Sequence, residues 1–300
     1  MGSKRRTLYE NQSLNGKTVA ITGSTGGIGL ELCRALASLG ADLILLNRSY
    51  ARSEQQVLSL QEEFPTLRAE ILTVDMEQPS EVKAVTDTLK NRSIDALILN
   101  AGAYHIPRKT CETGFDNVFQ INFVSPYYMA RELMPQLLSR KGKVVAVGSI
   151  AHNYSKIDPN DVDFSTYRAS SKVYGNAKRH LMYGLLELFR GADPAALSIT
   201  HPGITFTNIT AHYPRVIFAV IKHPMKIIFM KPQKAALSIL AGLHEDCSAD
   251  QWIGPRWFDV WGLPRKKALK TASRHERAEI ARRAEQAYEM MKNLPNEARD

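Results

Sequence analysis

Cysteine and long apolar runs are scarce in this 300-residue chain. Its three cysteines, Cys33, Cys111 and Cys247, are scattered and odd in number, so they predict neither a disulfide framework nor a metal site. This cysteine usage favours a reducing, cytoplasmic location. No apolar run reaches the roughly 18 residues of a membrane-spanning helix. The basic start, Met1–Arg6, has no apolar core behind it and so does not resemble a secretory signal.

Acidic residues are missing from one long stretch of the chain, which has a formal net charge of +9. Pro194–His244 contains no Asp or Glu, and Arg265–Lys292 has nine Lys or Arg against four Glu. A basic region of this kind can serve a nucleic acid or an anionic membrane. A solvated helical face is the simpler interpretation, and we expect no nucleic-acid partner.

What the chain does contain is a globular composition, with 44% hydrophobic residues, and an alternation of short apolar runs with helical patterns. Three hundred residues can bury a large core, and one α/β domain is a fair expectation for this length. Strand–helix alternation is typical of a doubly wound parallel sheet. We therefore predict a single Rossmann-type domain with about seven strands and helices on both faces.

A glycine-rich turn lies in the first strand–helix unit. The run Lys17–Thr22 predicts a buried strand, Gly23–Gly29 follows directly, and Leu30–Leu39 has a helical pattern. Glycines let the backbone approach a ligand closely, and a helix N-terminus presents N–H groups to a pyrophosphate. The turn therefore predicts a dinucleotide cofactor.

The end of the second predicted strand, Asp42–Leu46, bears on the choice of cofactor. An acidic residue here would bind the adenosine ribose hydroxyls and select NAD. The chain has Asn47 and Arg48 instead, and the planar donor fork of arginine suits a 2′-phosphate. Arg52, about one helical turn further on, could assist. This pattern favours NADP, with NAD as the alternative.

A tyrosine and a lysine share one face of a predicted helix, Ser171–Phe189. Tyr174 and Lys178 are four residues apart, and side chains at this spacing are neighbours. A lysine charge about 5 Å from the phenol, at an effective dielectric of about 20, favours the phenolate by roughly 3 kcal/mol. That would lower the tyrosine pKa by about two units, into the working range of an acid–base catalyst. A surface pair without function is the alternative.

A second tyrosine, Tyr167, is also followed by a lysine. Lys172 is five residues further on, which is about 140° around a helix. Tyr167 is therefore excluded as the acid–base. The polar interval His152–Ser170 around it predicts an inserted active-site loop. We expect His152 to be an exposed loop residue, with contact to the substrate as the alternative.

Two more polar residues stand at informative positions. Ser149 follows the predicted strand Lys143–Val147, and ligands bind beyond the carboxyl ends of parallel strands. Asn122 lies within the apolar part of a long predicted helix, Phe115–Leu138, where a buried amide needs hydrogen-bond partners.

These motifs together resemble the short-chain dehydrogenase/reductase family, in particular its longer carbonyl-reductase and retinol-dehydrogenase-like members. The similarity rests on Thr22-Gly23-x-x-x-Gly27-x-Gly29, Asn100-Ala101-Gly102, the Tyr174/Lys178 pair and a Pro202-Gly203 motif, in family order over about 15–262. It implies hydride transfer between NADP(H) and a carbonyl or secondary alcohol, with a hydrophobic substrate expected.

The resemblance also implies a role for each motif residue. Tyr174 would be the acid–base, Lys178 would lower its pKa and bind the nicotinamide ribose, and Ser149 would orient the carbonyl oxygen. Asn122 would hold a water in the proton relay. The implied cofactor-binding residues are Gly23, Ser24, Thr25, Gly27, Ile28, Gly29, Asn47, Arg48, Asp75, Met76, Asn100, Ala101, Gly102, Tyr174, Lys178, Pro202, Gly203, Ile204 and Thr207. Relatives commonly form homodimers through the helices that carry Asn122 and Tyr174.

The predicted organisation has three parts: a tail at 1–14, the Rossmann domain at 15–262 and a basic helical extension at 263–300. Within the domain, 208–232 is predicted to be a substrate lid, because Val216–Ile221 and Met225–Met230 are apolar segments split by Pro224. A peripheral membrane patch is the alternative. Two other functions stay open: a non-catalytic NADP-binding sensor and an extended-type nucleotide-sugar epimerase.

Overall fold

The structure, a computed structural model, describes residues 12–204, 230–248, 250–269 and 271–295. These residues form one eight-stranded sheet. Its strands are β1 (Thr18–Thr22), β2 (Asp42–Asn47), β3 (Ala69–Thr73), β4 (Ala96–Leu99), β5 (Lys143–Val147), β6 (Leu197–Thr200), β7 (Gln251–Trp257) and β8 (Trp261–Ala268). Their order is β3-β2-β1-β4-β5-β6-β7-β8, with β1 to β7 parallel and β8 antiparallel to β7.

Helices connect the strands and cover both faces of the sheet. They are α1 (Gly27–Ser38), α2 (Tyr50–Glu63), α3 (Pro79–Lys90), α4 (Asn117–Phe119), α5 (Ser125–Ser139), α6 (Ser170–Leu188), α7 (Pro232–His244) and α8 (Arg274–Asn293). A π-helical turn, Gln120–Val124, joins α4 to α5, and short 3₁₀ turns occupy Ile150–Tyr154 and Pro194–Ala196. The predicted continuous helix Phe115–Leu138 is therefore interrupted at the π turn that contains Asn122.

Alternate residues of the central strand pack into two separate apolar cores. Ala20 belongs to one core, with Leu133 of α5 and Leu181 of α6, whereas Val19 and Ile21 belong to the other. The second core also contains residues of α1 and α7. This division follows from the two-residue period of a strand. It confirms the predicted doubly wound α/β fold.

The eighth strand differs from the prediction, which expected about seven strands and a helical extension from residue 263. Gly254 pairs with Arg265 and Pro255 with Pro264, so the extension begins with an antiparallel strand in the sheet. Most of β8 is exposed. Backbone pairing at a sheet edge leaves little apolar pattern in the sequence, which explains why this strand was not predicted.

The helix α8 packs against α5 and α6. The Tyr288 ring stacks on Tyr128 with centroids 5.7 Å apart, and the Arg131 guanidinium lies 4.2 Å from the Tyr288 ring centroid. Arg131 also forms an ion pair with Glu285. The helices through which relatives commonly form homodimers are thus contacted by α8 of the same chain. A dimer that uses this surface would have to displace α8.

Candidate active site

The glycine turn between β1 and α1 is shaped to receive a phosphate group. Gly23 has a φ of 69°, and a Cβ atom there would lie 2.8 Å from the Cα of Ala101. A Cβ at Gly29 would lie 2.3 Å from the Gly23 carbonyl oxygen. No side chain caps the N-terminus of α1 at Gly26, so a bound anion could accept hydrogen bonds from its first N–H groups. These features fit the pyrophosphate of a dinucleotide.

Asn100 fixes this turn from the neighbouring strand. Its Nδ2 donates to the carbonyls of Thr22, at 3.1 Å, and Gly23, at 2.8 Å. Its backbone N–H and that of Ala101 donate to the Thr22 hydroxyl. Asn100 therefore holds the ends of β1 and β4 together.

Asn47 supports the same turn from the other side. Its side chain is buried, and its Oδ1 accepts from the Ser24 N–H at 2.7 Å. Its Nδ2 donates to the hydroxyls of Ser24, at 2.7 Å, and Ser53, at 2.9 Å. We predicted Asn47 and Ser24 as cofactor-binding residues. Their side chains face the interior, so they shape the turn from behind it.

Arg48 is the exposed residue at the end of β2. Its side chain is 78% exposed, and its Nη1 lies 3.8 Å from Asp75 Oδ2. Asp75 follows β3, which pairs with β2, so the two charged groups stand at the same edge of the sheet. Arg52 is also exposed, whereas Met76 is buried and its carbonyl accepts from the Ser125 hydroxyl at 2.6 Å. The exposed side chains of Arg48 and Arg52 therefore stand where they could reach an anionic group.

The first two turns of α6 bring the predicted acid–base pair to the end of β5. The Tyr174 hydroxyl lies close enough to the Ser149 side chain for that hydroxyl to affect the pKa of the phenol. The Lys178 Nζ lies 5.7 Å from the Tyr174 ring centroid and donates to the Val147 carbonyl at 2.9 Å. Gly175 permits this approach, since a Cβ there would lie 2.3 Å from the Ala151 carbonyl oxygen.

The electrostatics of this pair differ from the prediction. Burial raises the pKa of Tyr174 to about 12, although the Ser149 side chain acts in the opposite direction. Burial also lowers the pKa of Lys178 to about 8. The lowering of the tyrosine pKa that we expected from the lysine charge is not seen: burial, the Ser149 side chain and Tyr104 shift the pKa of Tyr174, and burial alone shifts that of Lys178.

Asn122 lies on the π turn, completely buried. Its Oδ1 accepts from the Ala103 N–H at 3.2 Å, and its Nδ2 donates to the carbonyls of Ala103 and Val118, each at 2.8 Å. Single π turns inside helices often occur at functional sites. A Cβ at Gly102 would lie 2.9 Å from Asn122 Oδ1 and 3.6 Å from Lys178 Nζ. The amide and the ammonium therefore both border the space that a side chain at Gly102 would fill.

The loop between β5 and α6, residues 148–169, is called the active-site loop. Sequence reasoning missed the side chains that hold it in place. Arg179, 2% exposed, pairs through Nε and Nη2 with Glu276 of α8, both contacts at 2.7 Å. It also donates to the carbonyls of His152, at 3.0 Å, and Thr271, at 2.6 Å. Arg283 donates to the Asp158 carbonyl at 2.7 Å. Thus α8 is bonded to both α6 and the loop that follows β5.

His152 is buried and not exposed, which corrects the prediction for this loop residue. Its Nδ1 lies 2.6 Å from the Ser149 carbonyl oxygen. Its ring meets Trp252 edge-on at 5.3 Å, and His201 stacks on the same indole at 5.1 Å. Burial lowers the pKa of both histidines, that of His201 to about 4. Packing against Trp252, which is far away in the sequence, therefore buries this loop histidine in the core.

Tyr167 lies before the start of α6, away from the acid–base position. Its hydroxyl donates to Asp158 at 2.9 Å, and its ring stacks on Phe164 with centroids 4.1 Å apart. These contacts agree with its exclusion as the acid–base.

The segment after β6 closes the same edge of the sheet. Pro202 is buried, Gly203 has a φ of 82°, and the Ile204 carbonyl accepts from the Met230 N–H at 2.9 Å. Thr207 and all but the end of the predicted lid lie outside the described residues, since the described part resumes at residue 230.

The described residues contain neither a candidate membrane span nor a candidate metal centre. Among them, no helix combines the length and apolar character needed to cross a membrane. The same residues contain no group of three or more His, Cys, Asp or Glu side chains placed to hold a metal ion.

Comparison with known proteins identifies relatives of this chain. The short chain dehydrogenase family matches residues 17–176. Polyprenol dehydrogenase from Mus musculus is 25% identical over 75% of this chain and 70% of its own. A crystal structure of an uncharacterised protein from Mycobacterium paratuberculosis has a TM-score of 0.71 at 25% identity, and covers 93% of this chain and 95% of its own.

A short-chain dehydrogenase from Sphingobium yanoikuyae, solved with NADPH, has a TM-score of 0.61 at 20% identity, and covers 95% of this chain and 98% of its own. At 20% identity, the Sphingobium structure supports the fold alone. The family match spans the glycine turn, Ser149 and Tyr174. The chain therefore belongs to the short-chain dehydrogenase/reductase family, and it is an oxidoreductase that acts on CH–OH or C=O groups with NAD(P).

Proposed function

We propose that this protein is an NADP(H)-dependent oxidoreductase that interconverts a hydrophobic carbonyl compound and its secondary alcohol. The observation that carries the proposal is the convergence of four side chains at the carboxyl end of β5. Tyr174 lies beside Ser149, and the Lys178 ammonium and the Asn122 amide both lie close to Gly102. A sensor that only bound the cofactor would have no use for this arrangement.

Bound NADPH would supply the hydride to the carbonyl carbon. In that direction the Ser149 hydroxyl donates a hydrogen bond to the carbonyl oxygen and sets its position. The Tyr174 hydroxyl gives its proton to the same oxygen, and its raised pKa keeps it protonated at neutral pH. Lys178 and the buried Asn122 amide then belong to the relay that returns a proton to Tyr174.

Two observations support NADP over NAD. The side chain at the end of β2 that could have been an acid is the buried Asn47, which already has three hydrogen bonds. The exposed Arg48 and Arg52 stand beside it, and an arginine fork pairs well with a phosphate. The related Sphingobium structure was also solved with NADPH.

The hydrophobic substrate is supported by the sequence of the segment that follows Ile204 and by one relative. Val216–Met230 is apolar, and the mouse relative is a polyprenol dehydrogenase, which by its name acts on a lipid alcohol.

The decisive experiment compares Tyr174→Phe with Tyr167→Phe. We expect Tyr174→Phe to lower kcat by about a hundredfold or more, since it removes the proton donor, while NADPH affinity stays near wild type. Tyr167→Phe, the matched control, should lose less than about threefold, because its hydroxyl is bonded to Asp158. NADPH oxidation with a panel of aliphatic ketones and aldehydes measures both variants. A wild-type enzyme that binds NADPH but turns over none of the panel would favour the sensor instead.

A further inference from the structure

The hairpin between β7 and β8 exposes a cluster of large apolar side chains. Phe258 is 84% exposed, Trp257 and Leu263 are each 56% exposed, and Trp261 is 40% exposed. These four residues are called the hairpin patch below. Single exposed apolar residues are ordinary, but a contiguous group of this kind marks a surface that meets another apolar phase.

The strand register places the members of the hairpin patch together. Trp257 is the cross-strand partner of Trp261, and side chains opposite each other in an antiparallel pair share a face. Leu263 lies two residues beyond Trp261 and so points the same way, and Phe258 is at the turn. The patch is therefore one aromatic surface at the tip of the hairpin.

Positive charge surrounds the hairpin patch. Arg256 and Arg265 are exposed on its two strands, and the Arg256 guanidinium lies 5.2 Å from the Trp257 ring centroid. Lys266 is also exposed, although it reaches Glu245 at 3.6 Å. The one acid in 256–267, Asp259, is paired with Lys267 at 2.7 Å. The exposed charge beside the aromatics is therefore basic.

The tip of the hairpin adjoins the candidate active site. The His201 Nε2 lies 2.9 Å from the Asp259 carbonyl oxygen, and a Cβ at Gly203 would lie 2.9 Å from the Val260 carbonyl oxygen. Since β7 is parallel to β6, the tip lies at the sheet edge that carries Ser149 and Pro202.

We propose that the hairpin patch docks this protein onto the surface of an anionic lipid bilayer. Tryptophan and phenylalanine side chains settle in the headgroup region of a bilayer, and nearby arginines are attracted to acidic lipids. Docking in this way brings the mouth of the candidate active site to the lipid surface. The proposal does not depend on the proposed reaction, and its test below uses no turnover.

The first test is binding of the purified chain to sedimented vesicles of phosphatidylcholine alone or mixed with phosphatidylserine. We expect binding to the mixed vesicles that falls with added salt, and much weaker binding to the neutral ones. Trp257→Ser with Phe258→Ser should lower the partition coefficient at least about tenfold, because two aromatic side chains that would enter the headgroup region are lost. Leu58→Ser with Met290→Ser, which removes two exposed apolar residues elsewhere, should bind as wild type.

The charges are tested separately. Arg256→Glu with Arg265→Glu should reduce binding to the mixed vesicles by at least about tenfold, since each cation near an anionic surface contributes about a fivefold factor. Arg140→Glu with Lys141→Glu is the matched control. Those exposed residues precede β5 and so lie at the opposite edge of the sheet, where the change should have no effect.

Tryptophan fluorescence gives a readout on the unaltered protein. The three tryptophans of the chain are Trp252, Trp257 and Trp261, and Trp252 is 4% exposed. Two of the three tryptophans therefore belong to the hairpin patch. Lipids brominated near the headgroup should quench a large share of the tryptophan emission. Absence of quenching, or of binding to the mixed vesicles, overturns the proposal. A dimer in light scattering that the Trp257/Phe258 variant converts to monomer also overturns it, because a second copy would then cover the patch.

Discussion

At the scale of single residues, burial controls the chemistry of the candidate site more than pairwise attraction does. Lys178 is 2% exposed, and burial is the cause of the lowering of its pKa to about 8. A Lys178 ammonium that deprotonates near this pH would weaken the proposed proton relay in alkaline solution. The same burial keeps Tyr174 protonated, which suits reduction.

Gly102 offers a test of the relay between Asn122 and Lys178. A methyl group at this position would lie 2.9 Å from Asn122 Oδ1, and that amide has three hydrogen bonds that hold it still. We expect Gly102→Ala to lower kcat at least tenfold and stability by about 1–3 kcal/mol. Gly184→Ala is the control, since its added methyl would meet its nearest neighbours at 3.5 Å. Steady-state kinetics and thermal unfolding measure both. Unchanged kcat in Gly102→Ala would argue against the relay.

Arg48 tests the choice of cofactor. We expect wild type to bind NADPH more tightly than NADH, and Arg48→Ala to weaken NADPH binding about ten- to a hundredfold while NADH binding changes little. A charged hydrogen bond to the 2′-phosphate contributes about 1.5–3 kcal/mol, which corresponds to this range. Fluorescence titration of each cofactor gives the dissociation constants. Equal affinities for NADPH and NADH in wild type would contradict the assignment.

At the scale of elements, the hydrogen bonds made by α8 hold the active-site loop and α6 in their positions. Glu276→Gln preserves the shape of the side chain but leaves the buried Arg179 without its counter-charge. We expect a loss of about 3–5 kcal/mol in unfolding free energy, as for other broken buried ion pairs. Urea unfolding measures the change.

The same helix provides the control for this experiment. Glu285→Gln breaks the ion pair with Arg131, whose partners are 29% and 47% exposed, and should cost less than about 1 kcal/mol. If Glu276→Gln and Glu285→Gln had equal stability, the Arg179 contact would not be what holds the loop.

The elements also show what the sequence could and could not predict. The glycine turn and the Tyr174/Lys178 pair depend on residues a few positions apart, so their spacing was sufficient to find them. Arg179 and Glu276 are 97 positions apart, and neither has a distinctive neighbourhood in the sequence. The burial of His152 likewise depends on Trp252. Contacts of this separation are set by the tertiary fold, which a local pattern does not encode.

At the scale of the whole molecule, buried histidines should make the protein sensitive to acid. Burial lowers the pKa of His180 and of His201 to about 4, against an ordinary value of 6.5. Between these values the unfolded chain binds more protons than the folded one, so stability falls as pH falls from 6.5 towards 4. Each histidine contributes up to about 3 kcal/mol to this loss.

The measurement is the melting temperature between pH 7.5 and about pH 4.5. We expect His180→Gln, which can still donate to the Asn176 carbonyl, to flatten the decline relative to wild type. His105→Gln replaces an exposed histidine and should leave the decline unchanged. Parallel curves for wild type and both variants would show that other groups dominate acid unfolding.

The bond between α8 and the active-site loop has a consequence for biosynthesis. Ile157 and Glu276 are 119 positions apart, and Asp158 and Arg283 are 125 apart. At about 5–20 residues per second, a ribosome needs roughly 6–24 seconds to make the chain between them. During that interval the active-site loop of the nascent chain has no contact with α8, and Arg179 lacks its counter-charge, Glu276. Chaperones that shield newly made chains would therefore meet this chain while its active-site loop still lacks the contacts with α8.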